Sequence, residues 1–307
     1  MILKGRDFID LADFSREEIN YLLQLAKELK AKQKAGIPHE ILKGKNLAMI
    51  FQKSSTRTRV SFEVAMYQLG GLAMFLNKND LQMGRGEPIE DTARVLARFS
   101  DGILIRTFSH QEVLDLARFS SVPVINGLTD DHHPTQVMAD LLTIWEHKGT
   151  LAGLKIVYAG DGNNVAGSLL YGAALTDMEI VVASPEGYQP DPAVVRKAKK
   201  MAGDPEKIAV MSDLHKAVQD ADILYTDVWA SMGQEDEALK RRKDLEVYQI
   251  NKEILARAKK DAIVLHCLPA HRGEEITVEV MEGPQSVVFD EAENRLHAHK
   301  AILAALL

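Results

Sequence analysis

The chain alternates short apolar runs with longer segments that carry apolar residues at helical spacing. The apolar runs cover residues 47–51, 72–76, 102–106 and 122–126 in the first half, and residues 155–160, 179–183, 208–211, 223–227 and 262–266 in the second half. Such alternation is typical of units in which parallel strands are covered by helices on both faces. The sequence therefore predicts an α/β protein with two domains, each a parallel sheet flanked by helices.

A chain of 307 residues is long enough for two such domains, each with its own core. We place the domain change near residue 148, because a helical segment at about residues 135–147 is followed by Gly149 and Gly153. The first domain then covers residues 1–148 and the second covers residues 149–290. Residues 291–307 are predicted to form an amphipathic helix, whose apolar side chains need a partner surface.

The composition excludes several classes of protein. A net charge of -7 argues against a nucleic-acid binder, which would carry a basic surplus or stripe. The single cysteine, Cys267, excludes an internal disulfide framework and a multi-cysteine metal site. No apolar run is long enough to span a bilayer, and charges stand too early for a secretory signal. We therefore expect a cytoplasmic protein that does not bind a membrane.

The segment FQKSSTRTR at residues 51–59 places hydroxyl and guanidinium groups where an apolar strand gives way to an amphipathic helix. The N–H groups and the positive dipole end of the first helical turn favour a bound anion, and Arg57 and Arg59 offer bidentate contacts to phosphate. Without a glycine or a closing Gly-Lys-Ser/Thr, the segment is not a nucleotide P-loop, and a small phosphorylated substrate fits it better. The alternative is a capped helix with two solvated arginines.

Polar residues also follow other predicted strands, at the edge where parallel sheets bind ligands. Arg106 ends one strand, and the segment DDHHPTQ at residues 130–136 precedes a helix, which leaves His133 and Gln136 near open N–H groups. The alternatives are a surface arginine, a capped helix with surface histidines, and a metal site. Adjacent histidines make a poor metal pair, so we rank the metal site lowest.

The second half carries three further candidates. Residues 160–167, GDGNNVAG, resemble a dinucleotide fingerprint, but asparagines occupy the turn and no acidic residue ends the next strand. Asn164 could instead present its amide to a polar ligand. Asp227 follows a strand and either holds a substrate ammonium group or caps a helix. Cys267 also follows a strand and is either a reactive group or a small buried hydrophobe.

Together these segments resemble the aspartate/ornithine carbamoyltransferase family. Residues 55–59, STRTR, match its carbamoyl-phosphate motif, and residues 133–136, HPTQ, match its second motif. The branch that acts on ornithine is indicated by residues 227–233, with the pattern Asp-x-x-x-Ser-Met-Gly, and by residues 266–269, HCLP. The motifs span nearly the whole chain in the family's order, including Asn294 and Arg295.

The resemblance implies an enzyme that transfers the carbamoyl group of carbamoyl phosphate to the δ-amino group of L-ornithine, giving L-citrulline and phosphate. This is a step of arginine biosynthesis or of the urea-cycle type, and the sequence does not distinguish a biosynthetic from a degradative direction. It implies no cofactor and no metal. Residues 1–148 would bind carbamoyl phosphate, residues 149–290 would bind ornithine, and the C-terminal helix would return to the first domain. The resemblance also implies a homotrimer or a larger assembly of trimers, in which the loop with Gln82 reaches a neighbouring subunit's site.

By the same resemblance, the residues that contact carbamoyl phosphate are Ser55, Thr56, Arg57, Thr58, Gln82, Arg106, His133, Gln136, Cys267, Leu268 and Arg295. Those that contact ornithine are Asn164, Asp227, Ser231 and Met232. Four of these residues are expected to be catalytic. Arg106 and His133 would polarise the carbamoyl carbonyl group, while Asp227 and Cys267 would orient the attacking amine.

Three alternative functions are also weighed against this interpretation of the sequence. A sister carbamoyltransferase would act on aspartate, putrescine or an acylated ornithine, although the Ser231-Met232-Gly233 loop favours free ornithine. The hypothesis of an NAD-dependent dehydrogenase is supported only by the glycine turn at residues 160–167. A non-catalytic protein with the same pockets would need to have lost a motif residue, and the sequence retains them all.

Overall fold

The structure is a computed structural model, and it describes residues 3–231 and 233–307. The strands in these residues are β1 Asn46–Phe51, β2 Leu72–Asn77, β3 Gly102–Arg106, β4 Val124–Leu128, β5 Lys155–Ala159, β6 Glu179–Ala183, β7 Ile208–Met211, β8 Ile223–Thr226 and β9 Ile263–His266. The α-helices are α1 Arg16–Lys34, α2 Thr56–Gln68, α3 Ile89–Phe99, α4 His110–Phe119, α5 Pro134–Lys148, α6 Asn164–Thr176, α7 Pro192–Met201, α8 Leu214–Ala217, α9 Ala238–Leu245, α10 Lys252–Leu255, α11 Val278–Met281 and α12 Val288–Leu306. Among the described residues, no helix has both the length and the apolar character needed to cross a bilayer.

The strands form two parallel sheets, with the orders β2-β1-β3-β4 and β7-β6-β5-β8-β9. The central strands are apolar on both faces because helices cover both. In β1, for example, the side chains from Leu47 to Ile50 are fully buried. The predicted fold class is confirmed.

The chain divides into two compact units. The first unit contains the chain up to Leu142 together with Glu293–Leu307, and the second contains Thr143–Ala292. Two helices run across the division, since α5 and α12 each have residues in both units. The first unit therefore holds the four-stranded sheet, and the second holds the five-stranded sheet.

Strand β4 lies two residues later than the predicted run at residues 122–126. Pro123 lacks an N–H group and cannot donate to the ladder, so the strand begins after it. At the other end, a register shift between Ile105 and Arg106 pairs Arg106 with Leu128 and extends the strand. The shift therefore places Arg106, the last residue of β3, opposite Leu128.

The C-terminal helix α12 begins at Val288, three residues before its predicted start, and its later part belongs to the first unit, as expected. Its end approaches that unit's sheet closely. A Cβ atom at Gly102 would lie 2.7 Å from Leu307 Cδ2, so a larger residue there would require the Leu307 side chain to shift. The N–H of Gly5 also donates to Leu306 O at 2.9 Å.

Candidate active site

The turn between β1 and α2 carries the predicted anion site. Ser55 is the N-cap of α2, and its hydroxyl accepts a hydrogen bond of 3.2 Å from the N–H of Thr58. The N–H groups of Thr56 and Arg57 precede the first intrahelical bond, so the helix leaves them to a ligand. A cavity of about 430 Å³ opens here and is lined by Ser55, Thr56 and Arg59, among others. Ser55 thus caps the helix, as the alternative reading required, while the turn keeps donors for a phosphate group.

Arg295 connects two of the predicted motifs. Its Nη2 donates to Thr58 Oγ1 and its Nη1 donates to Gln136 Oε1, each at 2.7 Å. All three side chains are buried. Gln136 Nε2 in turn donates to Asp140 Oδ1 at 2.8 Å. Side chains from α2, α5 and α12, which are distant in the sequence, therefore converge in the first unit.

Buried cations surround His133. Arg106, at the end of β3, and His133, just before α5, are both buried. Burial lowers the pKa of His133 well below its ordinary value, and the positive charges of Arg295 and Arg106 lower it further. The imidazole is therefore neutral near pH 7 and can donate a hydrogen bond to a carbonyl oxygen. The surrounding cations favour an anionic ligand.

Gln82 lies at the start of the short 3₁₀ helix Gln82–Arg85, and its side chain is exposed. None of the hydrogen bonds that join Thr58, Gln136 and Arg295 involves it. Within the chain described here, Gln82 is thus not part of the buried cluster with which the resemblance groups it.

In the second unit, Asp227 is held by three donors. Its Oδ1 accepts from the N–H of Val228 at 2.8 Å and from Cys267 Sγ at 3.0 Å, and its Oδ2 accepts from Asn163 Nδ2 at 2.8 Å. The sheet explains the contact with Cys267: Thr226 pairs with His266, so the residues that follow these two strand ends are neighbours. Asp227 and Cys267 are thus brought together, as the predicted amine-orienting pair requires.

Asn163 bonds a predicted site residue, although the sequence alone did not single it out. Besides its bond to Asp227, its Oδ1 caps α6 by accepting from the N–H groups of Val165 and Ala166, at 2.9 and 3.2 Å, and it also accepts from Tyr158 OH at 3.1 Å. The predicted ligand Asn164 is instead the first residue of the helix. The position of an asparagine directly before a helix was the available signal.

His266 and Cys267 border a hydrogen-bonded network rather than a metal site. The ligand atoms of Asp227, His266 and Cys267 lie within 4.8 Å of one another. However, His266 Nδ1 accepts from the N–H of Leu268 at 2.9 Å, and its Nε2 donates to Glu275 Oε1 at 2.9 Å. The ring keeps no lone pair for a metal ion. The first of these bonds also supports the left-handed backbone of Leu268, whose φ is 58°.

The loop after β8 is fastened by Arg241. Its Nη1 donates to Asp161 Oδ2 at 2.9 Å and to Trp229 O at 3.3 Å. Burial raises the pKa of Asp161 to about 6, although Arg241 opposes that rise. Further along the loop, the N–H of Ser231 donates to Gln234 Oε1 at 3.0 Å. The predicted ligand Met232 lies outside the described residues.

Two family models match the chain. The model described as "Aspartate/ornithine carbamoyltransferase, carbamoyl-P binding domain" matches residues 6–146, and the one described as "Aspartate/ornithine carbamoyltransferase, Asp/Orn binding domain" matches residues 152–306. The chain belongs to the aspartate/ornithine carbamoyltransferase family. The carbamoyltransferase resemblance that the motifs indicated is confirmed.

Known carbamoyltransferases are similar over the full length. The ornithine carbamoyltransferase of Oceanobacillus iheyensis is 58% identical over 306 residues, which are 99% of this chain and 95% of that protein. The "Ornithine carbamoyltransferase, anabolic" of Pyrococcus furiosus is 56% identical over 99% of this chain and 97% of its own length. A solved ornithine carbamoyltransferase from Pyrococcus furiosus superposes with a TM-score of 0.96 at 55% identity, covering 100% of this chain and 98% of that one.

Proposed function

We propose that the chain is an enzyme that transfers the carbamoyl group of carbamoyl phosphate to the δ-amino group of L-ornithine, giving L-citrulline and phosphate. The observation that carries the proposal is its full-length similarity to proteins named ornithine carbamoyltransferase. One of these relatives is named anabolic, which favours a step in arginine biosynthesis.

The first unit supplies the groups that carbamoyl phosphate needs. The N–H groups at the start of α2, with the hydroxyls of Ser55, Thr56 and Thr58, suit the phosphate oxygens, and Arg57 and Arg106 add positive charge as phosphate leaves. Neutral His133, with Gln136 and Arg106, suits the carbamoyl carbonyl oxygen. The buried contacts of Arg295 with Thr58 and Gln136 keep both groups in place before the ligand arrives.

The second unit supplies an anionic group for the acceptor. The buried Asp227 carboxylate attracts an ammonium group and repels an acidic acceptor such as aspartate. The contact from Cys267 Sγ to Asp227 places the thiol beside the same nitrogen. Asn164, Ser231 and Met232 are proposed to hold the amino-acid end of ornithine, and Leu268 to line the carbamoyl group.

The attacking nitrogen must be neutral, whereas an alkylammonium has a pKa of about 10.4 in water. Asp227 and Cys267 orient this nitrogen, and the departing phosphate accepts the proton that it releases. Alignment of the two substrates can contribute on the order of 7–11 kcal/mol to the rate enhancement. The reaction so written uses no cofactor.

A dinucleotide at residues 160–167 is disfavoured by the packing of that turn. A Cβ atom at Gly162 would lie 2.3 Å from Pro190 N, so the glycine accommodates the protein's own backbone rather than a pyrophosphate. Asn163, which would face such a ligand, already bonds Asp227 and the helix start. This favours a transferase over the dehydrogenase alternative.

The quaternary structure and the compartment belong to the same proposal. The exposed Gln82 agrees with a homotrimer, or a larger assembly of trimers, in which this loop serves a neighbouring subunit. The single cysteine and the acidic net charge agree with a cytoplasmic protein that binds no nucleic acid.

The test measures carbamoylated products from carbamoyl phosphate with ornithine, aspartate, putrescine and N-acetylornithine as parallel acceptors. Turnover confined to ornithine is expected. Asp227→Asn should lose most of this turnover, while the control Asp244→Asn, at an exposed residue bonded to Tyr188, should retain it. Turnover with another acceptor would show that this acceptor, and not ornithine, is the substrate. Turnover with none of the four would overturn the proposal.

A further inference from the structure

Helix α12 sends a second buried side chain to the phosphate-binding turn. His299 lies one helical turn after Arg295, so both face the same side of the helix. Its Nδ1 lies 2.9 Å from Ser61 Oγ, and its ring stacks on Phe62 with centroids 3.8 Å apart and an interplanar angle of 16°. The His299 side chain is fully buried, so this stacking holds the ring in one orientation.

The hydrogen-bond directions follow from the single proton of Ser61. Its Oγ donates to Arg57 O at 2.6 Å, with Thr58 O further away at 3.2 Å. Since that proton is used, the hydroxyl must accept from His299 Nδ1–H. Burial lowers the pKa of His299 well below its ordinary value, and the charge of Arg295 lowers it further, in agreement with a neutral ring that carries its proton on Nδ1.

This chain of bonds ends on one peptide group of the anion site. The C=O of Arg57 and the N–H of Thr58 belong to the same planar peptide unit. Ser61 binds the C=O, and Ser55 Oγ binds the N–H at 3.2 Å. The plane is therefore held at both ends, and His299 fixes the hydroxyl that holds one of them.

We propose that His299 is a positioning residue for carbamoyl phosphate, acting through Ser61 on the Arg57–Thr58 peptide. This inference rests on the proposed function for the identity of the ligand. It requires a hydrogen-bond donor at the place of Nδ1 and does not require a charge.

The test compares variants that separate the donor from the ring. His299→Phe keeps the stacked ring and removes the donor, whereas His299→Asn restores an N–H near the position of Nδ1 without the ring. Ser61→Ala breaks the same bond from the other side by removing one oxygen atom. His297→Phe is the matched control, since His297 is a buried histidine of the same helix that contacts Glu293 instead.

Steady-state kinetics should show that His299→Phe raises the KM for carbamoyl phosphate about 3- to 10-fold, the effect of losing one hydrogen bond. The KM for ornithine should stay within about twofold, and His299→Asn should recover most of the loss. In the His299→Phe/Ser61→Ala double variant, the KM for carbamoyl phosphate should be no higher than in the more impaired of the two single variants. His297→Phe should resemble the parent. An unchanged KM in His299→Phe, an equal rise in both KM values, additive losses in the double variant, or no recovery in His299→Asn would each overturn the proposal.

Binding of inorganic phosphate by calorimetry makes the test independent of turnover. Weaker phosphate binding in His299→Phe and in Ser61→Ala, but not in His297→Phe, supports the positioning role even if no acceptor is carbamoylated. In that case the proposed function fails and the inference about the anion site stands. Equal phosphate binding in all four proteins overturns the inference, whatever acceptor the enzyme uses.

Discussion

Replacing Asn163 by aspartate tests the hydrogen-bond network of the second unit. Asn163 Nδ2 donates to Asp227 Oδ2 at 2.8 Å, while Asn163 Oδ1 accepts from Tyr158 OH and from the N–H groups of Val165 and Ala166. Aspartate has the same shape and keeps all three acceptor bonds. The substitution therefore changes one contact only, and it sets two carboxyl groups against each other.

The distance determines the size of the effect. Two unit charges 2.8 Å apart repel by about 6 kcal/mol at an effective dielectric constant of about 20. At 1.36 kcal/mol per pKa unit, this repulsion raises the pKa of the introduced carboxyl from about 4 to about 8 in the folded protein. Because the pKa of the introduced carboxyl is higher in the folded than in the unfolded protein, the variant keeps its full stability below about pH 4 and loses stability as the pH rises to about 8. The variant should thus be less stable than the parent by about 1.5 kcal/mol at pH 5 and by about 4 kcal/mol at pH 7.

Urea unfolding between pH 5 and pH 8 measures this difference. The gap in unfolding free energy between parent and Asn163→Asp should grow by about 1.4 kcal/mol per pH unit up to neutral pH. Asn251→Asp is the matched control, because Asn251 also caps a helix, accepting from the N–H of Ile254 at 3.0 Å. Its gap should vary far less with pH. A gap for Asn163→Asp that is equal at pH 5 and pH 7 would refute the contact with Asp227.

Three other substitutions have defined outcomes. Arg295→Lys keeps a charge but loses the planar fork that reaches both partners, so the KM for carbamoyl phosphate should rise about tenfold or more in steady-state assays, with little change for ornithine. Arg241→Gln removes the positive charge that counteracts the effect of burial on the pKa of Asp161, which is already raised to about 6. That pKa should rise further in the variant, so urea unfolding should show that the variant loses stability relative to the parent as the pH increases from 5 to 8. Cys267→Ala removes the thiol that contacts Asp227, so kcat should fall and the pH–rate profile should change; an unchanged rate and profile would contradict the amine-orienting role.

The sequence predicts the structure most accurately where the signal is local. Strands β3, β6 and β7 have the predicted bounds, because the strands of a parallel sheet covered by helices are mostly apolar. The capped start of α2 was likewise readable, since a serine before a helix satisfies its open N–H groups. The shift of β4 was missed because it depends on the ladder with β3, which no local pattern reports.

Local sequence by itself determined the two-sheet fold class and brought polar residues to the ends of the strands. The tertiary structure decided which of these residues meet. Asn163 rather than Asn164 bonds Asp227, because one side chain caps the helix and faces the neighbouring strand end, while the next already lies in the helix. Arg295 and His299 meet the turn at α2 across more than two hundred residues of sequence. The physical reason is that hydrogen bonds act over about 3 Å in space, and only the packed chain sets which donor lies within that distance of which acceptor.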